Sequence, residues 1–144
     1  HGAETVVITV PNFTFGKEVE EVWLHAIDVA DLELLESFTY EGNAQDFTDT
    51  ILRVKQLDPD VWFLLGNNQA PQIAKQAKEQ GYYPKLGIIT LGSGFATSFF
   101  LDEAGADVAD GIIVTQDFAP VSSLLMSPDM INNFKDYTGQ DLGV

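Results

Sequence analysis

Apolar residues along the chain alternate between strand-like runs and helical spacing. Residues 6–10 form a largely apolar, β-rich run that Pro11 stops, and a helical repeat follows it. Residues 32–40 begin a second unit of the same kind, which turns at residues 41–43 and has Asp46 placed to cap its helix. The pattern predicts a strand followed by an amphipathic helix, twice in succession. The helical faces carry Val19, Val22, Trp23, Ala26 and Ile27 in the first unit and Phe47, Ile51 and Val54 in the second.

A third unit begins with the continuous apolar run at residues 61–65, which is typical of a strand buried on both faces of a parallel sheet. Residues 66–69 connect this strand to a helix. Pro71 suits the first turn of that helix, and Gly81 suits the left-handed position after its end. The start and stop signals therefore predict the same helix.

Two further strands are predicted at residues 86–91 and 112–115, with a short helix through Phe99 and Phe100 between them. A last helix is predicted to begin near Ser127 and to end at Gly139. Its apolar face consists of Met130, Ile131, Phe134 and Tyr137.

This alternation predicts the fold class: an α/β protein with a doubly wound parallel sheet, in a three-layer, Rossmann-like or flavodoxin-like arrangement. No linker interrupts it, so residues 1–144 are predicted to form a single α/β lobe. Sheets of this kind bind ligands beyond the carboxyl ends of their strands. The candidate binding surface therefore consists of four loops, at residues 11–16, 66–69, 90–94 and 115–120.

Composition removes several classes of function. The chain has no cysteine and only two histidines, His1 and His25, which argues against a metal centre and against thiolate chemistry. Its formal net charge of −15 repels phosphate backbones, so we predict that it binds no nucleic acid. The chain begins immediately before a strand, and we expect it to be a fragment of a longer protein.

Gly92-Ser93-Gly94 is similar to the start of a dinucleotide-binding motif, because it follows a strand and precedes a helix. The third glycine is missing, and no matching acidic residue follows a second strand. A flavodoxin-like domain that binds a flavin or a nucleotide remains an alternative function. We otherwise predict no cofactor, no catalytic residues and no enzymatic activity.

The polar segment Asn67, Asn68 and Gln69 is the strongest candidate for ligand contact, because amides at the end of a buried strand can donate to and accept from a small polar molecule. The same residues could instead form the turn and cap the third helix. Phe13 and Phe15 could form an apolar wall of the same crevice, or could pack in the core or at a hinge.

Several segments together are similar to the second lobe of type I periplasmic solute-binding proteins, the family of the leucine/isoleucine/valine-binding proteins. The first strand with its Asn12 to Gly16 loop resembles the start of that lobe. Four further matches follow along nearly the whole chain. They are Tyr40-Glu41-Gly42-Asn43 with Asp46-Phe47-Thr48, Leu57-Asp58-Pro59-Asp60-Val61, Gln76 to Tyr82 and Ala109-Asp110-Gly111-Ile112, and the spacing of Phe134, Tyr137 and Gly139 adds a sixth.

The resemblance implies an extracytoplasmic component of an ABC transporter that binds a small polar solute, such as an amino acid, between two lobes. It implies a missing first lobe, an ABC permease as partner, and a periplasmic or extracellular location at the membrane through the permease or an anchor. The ligand-facing residues would be Phe15, residues 67–69 and the region of Thr90. An acidic residue expected near Thr90 is absent, which leaves specificity for branched-chain amino acids open.

A sensory receptor domain of the same fold is a second alternative, because it would share the fold and the pocket and differ only in its partner. The edge of the lobe at the hinge is expected to be exposed and could pair with another copy of the chain.

Overall fold

The computed structural model describes residues 2–91, 94, 98–115, 132, 135–137 and 139. Within these residues five strands form one sheet in the order β2-β1-β3-β4-β5, and all neighbouring strands are parallel. The strands are β1 (Thr5–Pro11), β2 (Glu33–Tyr40), β3 (Val61–Leu64), β4 (Ile88–Leu91) and β5 (Ile112–Thr115). The helices are α1 (Thr14–Val29), α2 (Thr48–Leu57), α3 (Ala70–Glu79), α4 (Ser98–Ala104) and α5 (Ala106–Ala109).

Helices cover both faces of this sheet. On one face, Val6, Ile8 and Val10 of β1 pack against α1, whose buried residues include Trp23 and Ile27. The opposite face packs against α2, α3, α4 and α5, through residues that include Val7, Trp62, Leu64, Ile51, Ile73, Phe100 and Val108. Alternate residues of β1 thus point into two separate cores. The predicted α/β fold class with a doubly wound parallel sheet is confirmed.

The element boundaries differ from the predicted ones by a few residues. Helix α2 begins at Thr48, so Phe47 lies at its N-cap, fully buried, rather than within the helix. Asp46 accepts a 2.9 Å hydrogen bond from the Thr48 N–H, as a capping carboxylate would. Strand β4 begins at Ile88 because Gly87 has a φ of +103°, which an extended strand does not have. The predicted left-handed conformation of Gly81 is confirmed, with a φ of +63°.

A polar link fastens β1 to β3 at the edge of the sheet where these strands begin. The Asp60 carboxylate accepts hydrogen bonds from the main-chain N–H groups of Glu4 (2.9 Å) and Thr5 (3.0 Å). The Thr5 hydroxyl donates to the same carboxylate at 3.1 Å and accepts from the Asp60 N–H at 3.0 Å. These hydrogen bonds, chiefly the one from the Glu4 N–H, lower the pKa of Asp60. The link aligns the two central strands before they reach their carboxyl ends.

A second polar contact joins β1 and β3 inside the core. The Trp62 indole N–H donates a 2.9 Å hydrogen bond to the Thr9 hydroxyl, and both residues are fully buried. Since Thr9 is the one polar side chain of β1 within the apolar core, the bond satisfies a group that would otherwise be costly to bury.

Most of the predicted last helix, including Met130, Ile131 and Phe134, lies outside the described residues. At its predicted end, Gly139 has a φ of +69° and its N–H donates to the Lys135 carbonyl at 2.8 Å. This geometry is that of a helix C-terminus. No helix among the described residues is both long enough and apolar enough to cross a membrane.

Candidate functional crevice

The strand order places a crevice between the carboxyl ends of β1 and β3. From β1 the chain first moves outward to β2 and then returns past β1 to β3, so the connections after β1 and β3 leave on opposite faces of the sheet. This divergence is the topological switch point at which open α/β sheets bind their ligands. The residues that follow Pro11 and Leu64 are therefore the candidates to line it.

The turn after β1 presents two phenyl rings to solvent. Helix α1 begins at Thr14, so Phe13 lies in the turn and Phe15 in the first helical turn, with 38% and 47% of their surfaces exposed. Gly16 allows this tight entry, because a Cβ at Gly16 would lie 2.1 Å from the Pro11 carbonyl oxygen. The short connection holds both rings close to the end of β1.

The turn after β3 presents two amides. Asn67 and Asn68 are exposed, and neither side chain makes a hydrogen bond to any described residue. The turn is closed by the main chain instead, with the Ala70 N–H donating to the Asn67 carbonyl at 3.0 Å. Gln69 is the N-cap of α3 but gives that helix no side-chain cap. Among the described residues no side chain of this segment caps α3, and a contact between the two asparagine amides and a ligand stays a prediction.

The end of β2 joins these two turns. The Tyr40 hydroxyl donates a 2.8 Å hydrogen bond to the carbonyl of Leu65, directly before the β3–α3 turn. The Tyr40 carbonyl accepts from the Asn12 N–H at 2.7 Å, directly after β1. Burial raises the pKa of Tyr40, so the phenol remains a neutral donor. Tyr40 thus fixes the ends of β1, β2 and β3 relative to one another.

The turn after β4 approaches the same place. A Cβ at Gly94 would lie 2.0 Å from the Gly66 carbonyl oxygen and 2.6 Å from that of Asn67, so only glycine allows this approach. The rest of that turn, residues 92–93 and 95–97, and the predicted loop at residues 116–120 lie outside the described residues. Three of the four predicted loops therefore meet at least in part at one edge of the sheet.

A family model described as a periplasmic binding protein matches residues 1–142. The chain belongs to the periplasmic binding protein family. No curated protein matches it. The resemblance drawn from short sequence segments is thereby confirmed.

Solved structures of the family's type share the fold of this lobe. The branched-chain amino acid transporter substrate-binding protein LivJ from Streptococcus pneumoniae, in complex with isoleucine, is 19% identical, with a TM-score of 0.77 over 98% of this chain and 40% of that one. A leucine-, isoleucine-, valine-, threonine- and alanine-binding protein from Brucella ovis is 23% identical, with a TM-score of 0.78 over 98% and 35%.

A solute-binding protein of an ABC transporter from Rhodopseudomonas palustris, in complex with 3,4-dihydroxybenzoic acid, is 20% identical, with a TM-score of 0.74 over 99% and 39% of the two chains. The periplasmic binding protein lobe described here thus spans at most two fifths of the length of each of these three proteins.

Thr90 differs in setting from the other predicted site residues. It lies within β4 beside Val114 and is fully buried, whereas Phe13, Phe15, Asn67 and Asn68 are exposed and Gln69 is half-buried. Its hydroxyl has no hydrogen-bond partner among the described residues, and its carbonyl accepts from the Thr115 hydroxyl at 2.9 Å. A contact between Thr90 and a ligand stays a prediction.

One part of the crevice was not among the predicted loops. The β2–α2 loop, residues 41–47, brings Glu41 to the Asn12 amide, which donates to its carboxylate at 3.2 Å. Gly42 lies beside Phe13, since a Cβ there would be 3.7 Å from the Phe13 Cδ1 atom. The side-chain amide of Gln69 donates to the Gly42 carbonyl. Only the strand order could have predicted this loop, because β2 must lie next to β1 for its end to reach the crevice.

Proposed function

We propose that this chain is one lobe of the solute-binding component of an ABC transporter, which binds a small polar solute such as an amino acid between two lobes. The observation that carries the proposal is the pair of exposed amides at the switch point. The side chains of Asn67 and Asn68 make no hydrogen bond to a described residue, although they follow a buried strand. Each offers both donors and an acceptor to a solute.

The surroundings of these amides favour a solute that combines a carboxylate with an apolar part. Helices α1 and α3 both begin at the crevice, and neither has a side-chain cap or an acidic residue in its first turn. The positive dipole ends of these two helices favour an anion. Phe13 and Phe15 supply an apolar wall. The other two residues of the proposed binding site are Gln69, at the wall of the crevice, and Thr90, in the strand beneath it.

The solutes seen with two similar proteins have this chemistry. The Streptococcus pneumoniae protein holds isoleucine and the Rhodopseudomonas palustris protein holds 3,4-dihydroxybenzoic acid. Both molecules carry a carboxylate, isoleucine on an aliphatic body and 3,4-dihydroxybenzoic acid on an aromatic ring with two hydroxyls. We therefore propose small carboxylates as the first solutes to test for this chain, in two classes: amino acids and aromatic acids.

The remaining partners follow from the architecture. A single lobe supplies half of the walls that exclude water from a bound solute, so the isolated chain should bind only weakly. High affinity requires the other lobe, and delivery requires a permease, which places the protein outside the cytoplasmic membrane.

Pairing of two copies through the hinge edge is part of the proposal for the isolated lobe. A monomer by analytical ultracentrifugation at millimolar concentration would contradict that pairing.

A thermal-shift screen of the two-lobed protein tests the function, because a solute that binds only the native state raises its Tm. The screen compares amino acids, benzoate-type acids, and flavins or nucleotides. A rise in Tm with a small carboxylate supports transport-type binding and shows whether the solute is an amino acid or an aromatic acid. A rise with flavin or nucleotide alone would contradict the proposal.

A further inference from the structure

Helix α3 directs a row of glutamines at the β2–α2 loop. Gln69, at the N-cap, and Gln72 and Gln76 within the helix are spaced by three and four residues, so they lie along one side. Each donates from its side-chain amide to a main-chain carbonyl of the loop: Gln69 to Gly42, and both Gln72 and Gln76 to Gln45. The loop is thus tied to α3 along its length.

Gln76 makes the most complete of these contacts. Its amide nitrogen donates to the Gln45 carbonyl at 3.0 Å, and its amide oxygen accepts from the Phe47 N–H at 2.8 Å. One side chain therefore satisfies a main-chain acceptor and a main-chain donor two residues apart, as a neighbouring strand would. The N–H of Phe47 precedes α2 and has no main-chain partner within the described residues.

Apolar packing holds this loop through two residues, Ala44 and Phe47. Residues 41–43, 45 and 46 are exposed, Ala44 is half-buried, and Phe47 alone is fully buried. A surface pocket of about 380 Å³ borders the loop and α3, and its lining includes Gln45, Asn68, Gln72 and Lys75. The three glutamine side chains therefore tie the exposed part of the loop to α3 by hydrogen bonds.

The loop in turn borders the crevice through Gly42, which lies beside Phe13. We infer that Gln76 is a positioning residue of the crevice: by fixing residues 45 and 47, it sets where Gly42 stands and how much room Phe13 has. The role in solute binding rests on the proposed function. The geometric role does not, since it can be measured without a solute.

Two variants of Gln76 separate the two hydrogen bonds. Gln76→Met keeps the length of the side chain and loses both bonds, whereas Gln76→Glu keeps the acceptor for Phe47 and loses the donor to Gln45. Gln56→Met, on the exposed side of α2, is the matched control. Amide hydrogen exchange and amide chemical shifts of the whole chain are measured by NMR at neutral pH.

With Gln76→Met, the Phe47 amide should exchange roughly tenfold faster, and the resonances of Gly42 and Phe13 should shift. With Gln76→Glu, protection at Phe47 should be retained. Gln56→Met should leave all three residues unchanged. The inference is overturned if Phe47 keeps its protection in Gln76→Met, or if Gly42 and Phe13 shift no more there than in Gln56→Met. Should Gln76→Met not fold, the Gly42 resonance of Gln76→Glu decides: a larger shift than in Gln56→Met supports the inference, and an equal shift overturns it.

The two-lobed protein then distinguishes the inference from the function. If a solute binds the unaltered protein, and Gln76→Met weakens that binding while Gln56→Met does not, the proposed function and the positioning role of Gln76 are both supported. If no small carboxylate binds but the exchange pattern holds, the proposed function fails and the positioning of the loop stands.

Discussion

The Tyr40 hydroxyl donates a 2.8 Å hydrogen bond to the main-chain carbonyl of Leu65, across the end of the intervening strand β1. Both residues are buried, with 5% and 0% of their surfaces exposed. The bond connects the last residue of β2 to the residue that opens the β3–α3 turn. The bond therefore joins the ends of β2 and β3 directly before the turn that carries the exposed amides.

Replacing Tyr40 with phenylalanine removes this donor and leaves the buried Leu65 carbonyl without its side-chain partner. We expect a loss of about 1–3 kcal/mol in the free energy of unfolding, measured by urea denaturation. Tyr137→Phe is the matched control, because Tyr137 is 93% exposed. Equal stability of Tyr40→Phe and the unaltered chain would contradict this role.

Thr9→Val tests the buried bond to Trp62. Valine has nearly the same shape but cannot accept the indole hydrogen bond, so a fully buried N–H is left unsatisfied. The free energy of unfolding should fall by about 1–3 kcal/mol. Thr39→Val, on the exposed side of β2, should change it little and controls for the substitution itself. A similar effect of the two variants would show that the bond contributes nothing.

Gly16→Ala tests the tight entry into α1. The added Cβ would lie 2.1 Å from the Pro11 carbonyl oxygen, so helix and strand must separate. We expect a loss of about 1–3 kcal/mol, together with shifted NMR resonances of Phe13 and Phe15. Gly42→Ala is the control for stability and for the Phe15 resonance, because a Cβ there meets its nearest atom, Phe13 Cδ1, at an ordinary 3.7 Å. An unchanged stability for Gly16→Ala would mean that the turn has more room than the structure gives it.

The Asp60 link predicts a dependence of stability on pH. The native pKa of this carboxyl is lowered, chiefly by the hydrogen bond from the Glu4 N–H, so its contribution is present above the unfolded pKa of about 3.9. That contribution is lost as the pH falls through the lower native pKa. In Asp60→Asn the decline of stability below about pH 4 should be shallower than in the unaltered chain.

Asp102→Asn, at an exposed position of α4, is the control for the Asp60 experiment. Its stability should follow the unaltered chain throughout the acid range, as measured by urea denaturation at each pH. Parallel acid profiles for Asp60→Asn and the unaltered chain would contradict the role of the link.

Local sequence patterns predicted most of the fold. Three signals here are local: the apolar run at residues 61–65, Pro71 in the first turn of the helix and Gly81 after its end. The third strand and the third helix lie where these signals predicted them. Boundaries were less accurate. The predicted β4 began at Leu86, whose N–H instead donates to the Asp60 carbonyl at 2.9 Å before Gly87 turns the chain.

The candidate site was predicted only in part. Loops after β1 and β3 follow from the general rule for parallel sheets, and the exposure of Phe13 and Asn67 agrees with that rule. The contribution of the β2–α2 loop depends on which strands are neighbours, and the bonds from Gln76 join residues about 30 positions apart. Neither leaves a local pattern in the sequence.

Isothermal titration calorimetry tests the central claim that a solute binds at the switch point. The two-lobed protein is titrated with the small carboxylate that raises its Tm, in unaltered form, as the double variant Asn67→Ala and Asn68→Ala, and as Gln56→Ala for control. We predict that the double variant raises Kd at least about tenfold, because each amide supplies hydrogen bonds to the solute, while Gln56→Ala leaves Kd unchanged. An unaltered Kd in the double variant would contradict the account.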